Sequence, residues 1–466
     1  MGTGITAAIR PSEGQTTPDS DGVVERIETD YLVIGAGAMA MAFIDVVLKK
    51  DRKATFVVVD RHPVPGGHWN DAYSFVTLHQ PAEFYGLVST HLGAGGSDLA
   101  SLPTIVAYYG DAMRRFIETG RVRFLPMSSF EGRDAEGGGM VSSVLNPDRR
   151  THVEVRRRIV NAAYLEAKVP SMVKPLYDVD DDVEFMPPNG LSRLRGSYDH
   201  HVIVGGGKTG IDAILFLLDR GVPADAITWI MPNDAWLWCR EPVQPGIALT
   251  AILKMVEASA DFDTADQIFA NLEERGIVLR LDPDSQPTKW RCASISREEF
   301  VQLQGISDVV RMGRVTRITR GRIILENGER DVPENSVFVD CTANGLTVSA
   351  TAPIFADDAI TLQSVFMCQQ TFSASLLGRL EVARMTDAQR NALLTPIPQP
   401  ELKEHIAPSM LGSTQNMIRY SRRFPFWLRR NRLFLGHHEP THRYLIGSAK
   451  MMRFLQRAVA AGRWKT

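Results

Sequence analysis

Residues 201–218 read HVIVGGGKTGIDAILFLL, and the meaning of their glycines decides the fold. The run GGGKT looks like the end of an ATP-gripping P-loop. A P-loop, however, needs a glycine five residues before Gly207-Lys208-Thr209, so that a long loop of backbone N–H groups can wrap a phosphate chain. That position is Val202, inside an apolar run with the character of a buried strand. The pattern G-x-G-x-x-G asks instead for glycine at 205, 207 and 210, and all three are present. Gly205 supplies a tight turn, Gly207 lets a pyrophosphate approach the backbone, and Gly210 lets helix pack on strand. With a strand before it and an apolar helix after it, the stretch reads as a dinucleotide-binding turn whose helix N-terminus faces the diphosphate charge.

A second turn stands upstream in DYLVIGAGAMAMAFIDVVLKK, residues 30–50. Tyr31–Ile34 form a buried strand, Gly35-Ala36-Gly37-Ala38-Met39-Ala40 fit G-x-G-x-x-A, and an apolar helix follows. The next strand, in ATFVVVD, ends at Asp60, where an acid accepts hydrogen bonds from a ribose diol. Two such turns predict an α/β fold with two Rossmann-like dinucleotide-binding domains. The helical spacing of Ile247, Leu249, Ile252, Leu253, Val256, Ile268, Phe269 and Leu272 adds a helical insertion at about 245–276 in the second. The expected division is a disordered leader at 1–24, the first part of one dinucleotide domain at 25–190, the other at 191–340, and a return to the first with a helical region at 341–466.

The whole chain sets outer limits. Its 466 residues leave room for about three domains. Hydrophobic residues make up 44% and the net charge is −2, so charge gives no global argument for nucleic acid as a partner. No apolar run approaches the roughly 18 residues that span a bilayer, and the N-terminal stretch lacks a signal-peptide core, which predicts a cytoplasmic protein. Cys239, Cys292, Cys341 and Cys368 form no CxxC pair, so a metal ribbon and the dithiol of disulfide reductases are excluded, and buried free thiols are expected.

The segment after Asp60, RHPVPGGHWNDAYSFVTLHQPAEFYGL (61–87), carries Gly66-Gly67-x-Trp69 followed by a tyrosine and an apolar stretch. In it the chain resembles the two-dinucleotide-domain flavoproteins, the flavin-containing and Baeyer–Villiger monooxygenases. The likeness covers about Asp30 to Gly345. Glu334–Gly345 and Arg156–Ser171 are similar to the strands that link the two domains in that family. The resemblance implies FAD at the first turn, held by Gly35, Gly37, Ala38 and Ala40, with Asp60 and Arg61 at the ribose and Gly67, His68 and Trp69 beside the flavin. It implies NADPH at the second, held by Gly205, Gly207, Lys208, Thr209 and Gly210. No acid closes the strand AITWIM, and Lys208 and Arg240 are the nearest cations for a 2′-phosphate. NADH is possible should Asp234 reach a ribose. The implied reaction inserts one atom of dioxygen into a small organic substrate through a flavin C4a-(hydro)peroxide. His79, Gln80 and Tyr85 are the catalytic candidates, with His79 either a proton donor or a hydrogen-bonded core histidine.

Two departures keep other chemistry open. The F-x-G-x-x-x-H signature common in flavin monooxygenases is absent, since Phe185, Gly190 and His200 stand at other spacings. An FAD-dependent reductase acting on an organic acceptor, or a non-catalytic redox sensor, therefore remain alternatives. Gln363, Gln369, Gln370, Thr371 and Ser373 lie on a segment that either brings a helix N-terminus to the flavin or simply packs. His438-Glu439-Pro440-Thr441-His442 matches H-E-x-x-H, but Pro440 breaks the helix that zinc ligation needs, so no metal is expected. The arginine-rich C-terminal region around FPFWL reads as a solvated face, a membrane-surface contact or an anion site. A homo-oligomer is possible.

Overall fold

The computed structural model describes residues 24–134, 137–343, 345–346 and 350–465. The expected leader falls outside these except for Val24, which already opens a strand. The first unit is built on β1 (Val24–Ile34) and β2 (Phe56–Val59), parallel neighbours joined by helix α1 (Ala38–Lys50). Strand Val122–Leu125 extends the sheet beyond β2, and strand Arg150–Asn161 pairs on the other side of β1. All four residues of β2 are buried, the continuous apolar pattern of a parallel strand covered on both faces.

The second unit is a five-stranded, fully parallel sheet. At its centre β3 (His200–Val204) lies between β4 (Ile227–Ile230) and strand Ser336–Asp340, with Asp308–Val310 and Glu184–Met186 at the edges. Helix α2 (Lys208–Asp219) crosses between β3 and β4. The sequence division at 190 needs correction. Glu184–Met186 pairs with Ser336–Asp340, and Asp178–Val179 with Val315–Thr319, so the second unit takes up the chain from about 178. Strands of only two or three residues carry no signal of which sheet they join.

The helical insertion consists of α3 (Ala248–Asp261) and α4 (Ala265–Glu274). Thr264 and Gln267 form a reciprocal capping box that starts α4. After Asp340 the chain returns to the first sheet, where strand Ala359–Thr361 pairs with Arg150–Asn161. Asn344, in the expected linking turn, lies outside the described residues. Helix α5 (Gln370–Glu381) then packs on α1. A Cβ at Gly378 would come 2.9 Å from the Phe43 carbonyl oxygen, so glycine there is what permits the approach. Helices α6 (Ile406–Arg423), α7 (Pro425–Arg430) and α8 (Thr441–Ala460) end the chain. Buried side chains of the insertion and of these helices share one continuous core with β1 and α1.

The cysteines require a second correction. Cys239 and Cys341 are buried free thiols, whereas Cys292 and Cys368 form a disulfide across 76 residues. Only the docking of the return segment against the second unit brings that pair together.

Candidate functional site

Both turns adopt backbone conformations that glycine permits. Gly35 holds φ +95° and Gly205 φ +125°, conformations that side chains rarely adopt. A Cβ on Gly205 would lie 2.8 Å from the Cys341 carbonyl oxygen, and one on Gly210 would overlap the Gly205 carbonyl oxygen. Gly207 is different: a Cβ there meets nothing within 4 Å. Its glycine is therefore free of any packing requirement inside the protein. Gly37 and Gly207 stand at the N-caps of α1 and α2 with no side-chain cap, and neither first turn holds an acid. The unpaired N–H groups and positive ends of both helix dipoles are left facing outward from the strand ends.

At the first turn, Gly66-Gly67 fold back onto the Gly35–Gly37 loop. The Gly66 N–H donates to the Ala36 carbonyl at 3.0 Å, and Gly67, at φ +59°, would place a Cβ 3.0 Å from Gly37 Cα. Ala38 and Ala40 open α1, with Ala40 fully buried. Asp60 is buried at the end of β2, and its Oδ2 accepts from the Ala36 N–H at 2.6 Å. Its other oxygen accepts from the His62 N–H at 2.8 Å and meets His62 Nδ1 at 2.7 Å, while His62 Nε2 lies 2.7 Å from Asp71. Held mainly by Asp60, the imidazole pKa is raised to about 9, so a cation bridges two carboxylates here. Nothing in the sequence marked His62 or Asp71. Arg61 points to the surface. The pKa of His68 is lowered to about 4 by burial, and its ring lies tilted against Trp69. Trp69 Nε1 donates to Tyr85 Oη at 2.8 Å. Tyr85, its pKa pushed up to about 12 by burial, thus acts as a positioning residue for the Trp69 indole.

The chain from Trp69 to Gln80 runs between the two turns. Tyr73 Oη donates to Asp212 on α2 at 2.6 Å, and Asp212 also holds the Lys208 ammonium. His79 Nδ1 accepts from the Ser294 N–H at 3.2 Å. Burial, then the positive Lys208 and Arg240, lower the His79 pKa to about 3, so the imidazole is neutral with its proton on Nε2. Gln80 Oε1 accepts from Gln369 Nε2 at 2.8 Å, at the N-cap of α5. The side-chain carbonyl of Gln369 is buried with no partner among the described residues.

The expected 2′-phosphate cations are not free. Arg240 is fixed by both oxygens of Glu299, at 2.6 and 3.1 Å, and by the His79 carbonyl at 3.1 Å. Lys208 is paired within its own helix, and Thr209 lies half-buried beside it. Asp234 is likewise spent: Arg311, which follows the edge strand Asp308–Val310, grips it at 2.8 and 3.1 Å. His438 lies ahead of α8 and meets Glu83 at 3.0 Å, and Pro440, at the N-cap of that helix, keeps it off the face carrying His442.

The architecture is the fold seen in the two-dinucleotide-domain flavin monooxygenases. Cyclohexanone monooxygenase from Rhodococcus sp. Phi1, bound to NADP+, superposes with TM-score 0.52 at 13% identity, covering 79% of this chain and 86% of that one. An oxidized steroid monooxygenase bound to NADP gives 0.51 at 13% identity over 78% and 85%. The polycyclic ketone monooxygenase of Thermothelomyces thermophila gives 0.50 at 12% identity over 95% and 86%. In sequence the chain is 41% identical over 398 residues to an uncharacterized protein of Mycobacterium tuberculosis, covering 82% of this chain and 72% of its relative. An uncharacterized protein of Mycobacterium bovis matches to the same extent. The chain belongs to the family of these mycobacterial proteins. No family model matches it. Among the described residues no helix is long and apolar enough to cross a membrane.

Proposed function

We propose that the protein is an FAD-dependent, NAD(P)H-using oxidoreductase, and specifically a monooxygenase that places one oxygen atom on a small organic substrate. The observation that carries this is the Trp69–Gln80 chain. It is tied to α2 by Tyr73, to the second unit by His79 and to the N-cap of α5 by Gln80. A flavin lying on the first turn and a nicotinamide on the second would meet across this segment, as hydride transfer requires.

Residues present at each turn fit the two nucleotides. Gly35, Gly37, Ala38 and Gly67 would offer bare backbone to the FAD pyrophosphate, and Asp60 keeps lone pairs for a ribose hydroxyl. The unpartnered Gln369 carbonyl, beside the α5 N-terminus, offers an acceptor to a flavin ring N–H. Gly205, Gly207 and Gly210 would hold NAD(P)H by backbone alone. When bound, the flavin accepts hydride and passes electrons to dioxygen, a capacity that belongs to the cofactor. This chain's part is to bind, orient and shield: Tyr85 fixes Trp69, and His79 stands as a neutral Nε2–H donor rather than a proton source. Arg311, beside the edge strand of the second sheet, is committed to Asp234, so the choice between NADPH and NADH is read from the nucleotide dependence of flavin reduction.

A reductase is the second reading, favoured by the Cys292–Cys368 disulfide. Cys368 precedes Gln369, and Cys292 is two residues from Ser294. Two electrons from NAD(P)H and two protons would convert it into two thiols. In the cytoplasm, where we place the protein, the pair stays reduced unless the site itself oxidises it. Anaerobic mixing with NADPH or NADH, then with oxygenated buffer, tests both readings. Flavin bleaching followed by an absorbing oxygenated intermediate supports the monooxygenase. Bleaching with appearance of two titratable thiols and no such intermediate supports the reductase. No bleaching with either nucleotide refutes the shared claim.

A further inference from the structure

The C-terminal ends of α1 and α5 and the short helix α7 converge on one patch, at the end of α1 opposite the first glycine turn. Two adjoining hollows, of about 260 and 250 Å³, open there and share Lys50, Trp427 and Arg430 in their walls. Lys49 lines the first and Arg379 and Phe426 the second. None of Lys49, Lys50, Arg379, Arg423 or Arg430 forms an ion pair among the described residues, whereas Arg156, Arg317, Arg322 and Arg457 elsewhere on this surface do. Arg379 and Arg423 both lie over the Phe424 ring, at 4.5 and 5.6 Å. The Arg379 Nε is buried with no acceptor among the described residues. Burial and then the neighbouring Arg379 and Lys49 lower the affinity of Lys50 for its proton. The one carboxylate in the walls, Asp45, is buried and turned to the Ser89 N–H and hydroxyl.

Like charges crowded together repel one another; the Phe424 ring offsets part of this for Arg379 and Arg423, while the Asp45 carboxylate is engaged by Ser89. Beside them stands Phe426, 80% exposed on α7, while Leu428 of the same helix is buried and fixes its orientation. Trp427, half-buried against Tyr420, lines both hollows. A single exposed apolar side chain is ordinary, but an aromatic pair set in a ring of unpaired cations is the composition of a bilayer interface. A second copy of the chain fits poorly, because a two-fold contact would set this cationic patch against itself.

We infer that this patch is a docking surface for an anionic phospholipid bilayer. Phe426 and Trp427 enter the headgroup boundary while Lys49, Lys50, Arg379 and Arg430 meet the lipid phosphates. The inference goes beyond the proposed redox chemistry and does not depend on it. Membrane docking of this kind would bring the protein to lipophilic molecules without any membrane-crossing helix.

Co-sedimentation of the full chain with vesicles of phosphatidylcholine, with and without phosphatidylglycerol, tests it. The protein should partition onto the anionic vesicles and be released by salt. The double reversal Lys50→Glu with Arg430→Glu should weaken binding about 25-fold or more, at roughly fivefold per cation removed. Phe426→Ser should weaken it about fivefold through lost apolar burial. These side chains are exposed, so unchanged melting curves certify that the variants fold. Equal binding to neutral and anionic vesicles, no binding to either, or variants that bind as wild type would overturn the inference. So would displacement of the protein by free glycerol phosphate at low concentration, which would reveal a soluble-anion site, or a Phe426-dependent dimer in light scattering.

Discussion

Gly207 and Gly210 stand three residues apart in one turn, and their substitution by alanine should fail in opposite ways. At Gly210 a Cβ overlaps the Gly205 carbonyl oxygen, so the first turn of α2 must move outward by about 1 Å to restore ordinary contact. Overpacking of this order costs about 1–3 kcal/mol. Gly210→Ala should therefore unfold at lower temperature even with no nucleotide present. At Gly207, φ is −87° and the space around a Cβ is empty, so alanine brings neither strain nor clash. Its loss of N-cap preference amounts to no more than about 1 kcal/mol. The added methyl instead occupies the line along which a pyrophosphate would touch the backbone. A ten- to hundredfold loss of nucleotide affinity, about 1.4–2.8 kcal/mol, is expected. The assay pairs thermal melts of the apoprotein with the NADPH and NADH dependence of flavin bleaching under anaerobic conditions. Gly207→Ala should keep its melting temperature and FAD content and need far more nucleotide to reach the same bleaching rate. If it is reduced as readily as wild type, the second turn does not hold a dinucleotide and the reasoning fails at its first step.

Three further outcomes follow from the contacts. The folded His62 pKa, raised to about 9, lies above the ordinary 6.5, so the bridge between Asp60 and Asp71 stabilises the fold fully below pH 6.5 and is lost as pH rises through 9. His62→Gln should be destabilised by about 1–2 kcal/mol at pH 6, a value discounted for a side chain 24% exposed, and the gap should close by pH 10. A gap that does not change with pH in urea melts would show that His62 is uncharged. Tyr73→Phe removes the 2.6 Å bond to Asp212 and should slow flavin reduction several-fold with FAD content unchanged; an unaltered rate would separate that contact from the passage between the units. Cys292→Ser should cost about 2–4 kcal/mol against the oxidised wild type and nothing against the reduced one, since the bond closes a 76-residue separation. Equal melting of oxidised wild type and variant would mean the link does not constrain the unfolded chain.

The sequence by itself determined the two glycine-rich strand–turn–helix units. Their logic is local: Gly205, Gly207 and Gly210 act within six residues, and the flanking apolar runs can form only buried parallel strands and packed helices. Asp60 was legible for the same reason, lying where its strand ends. The insertion helices α3 and α4 were legible because helical periodicity repeats within each segment. What a charged side chain does once folded was not legible. Arg240 was open to reading as a phosphate clamp until Glu299, 59 residues on, was seen to hold it. Asp234 was a possible ribose ligand until Arg311 took both its oxygens. His79 is held neutral by burial and by the nearby Lys208 and Arg240 charges. Cys292 and Cys368 were expected as separate thiols, and Gln80 meets Gln369 across 289 positions of chain. Backbone geometry follows from neighbours in sequence. Charge state, hydrogen-bond partner and cross-link follow from neighbours in space, and only the packing of the return segment and the insertion against the two sheets selects those.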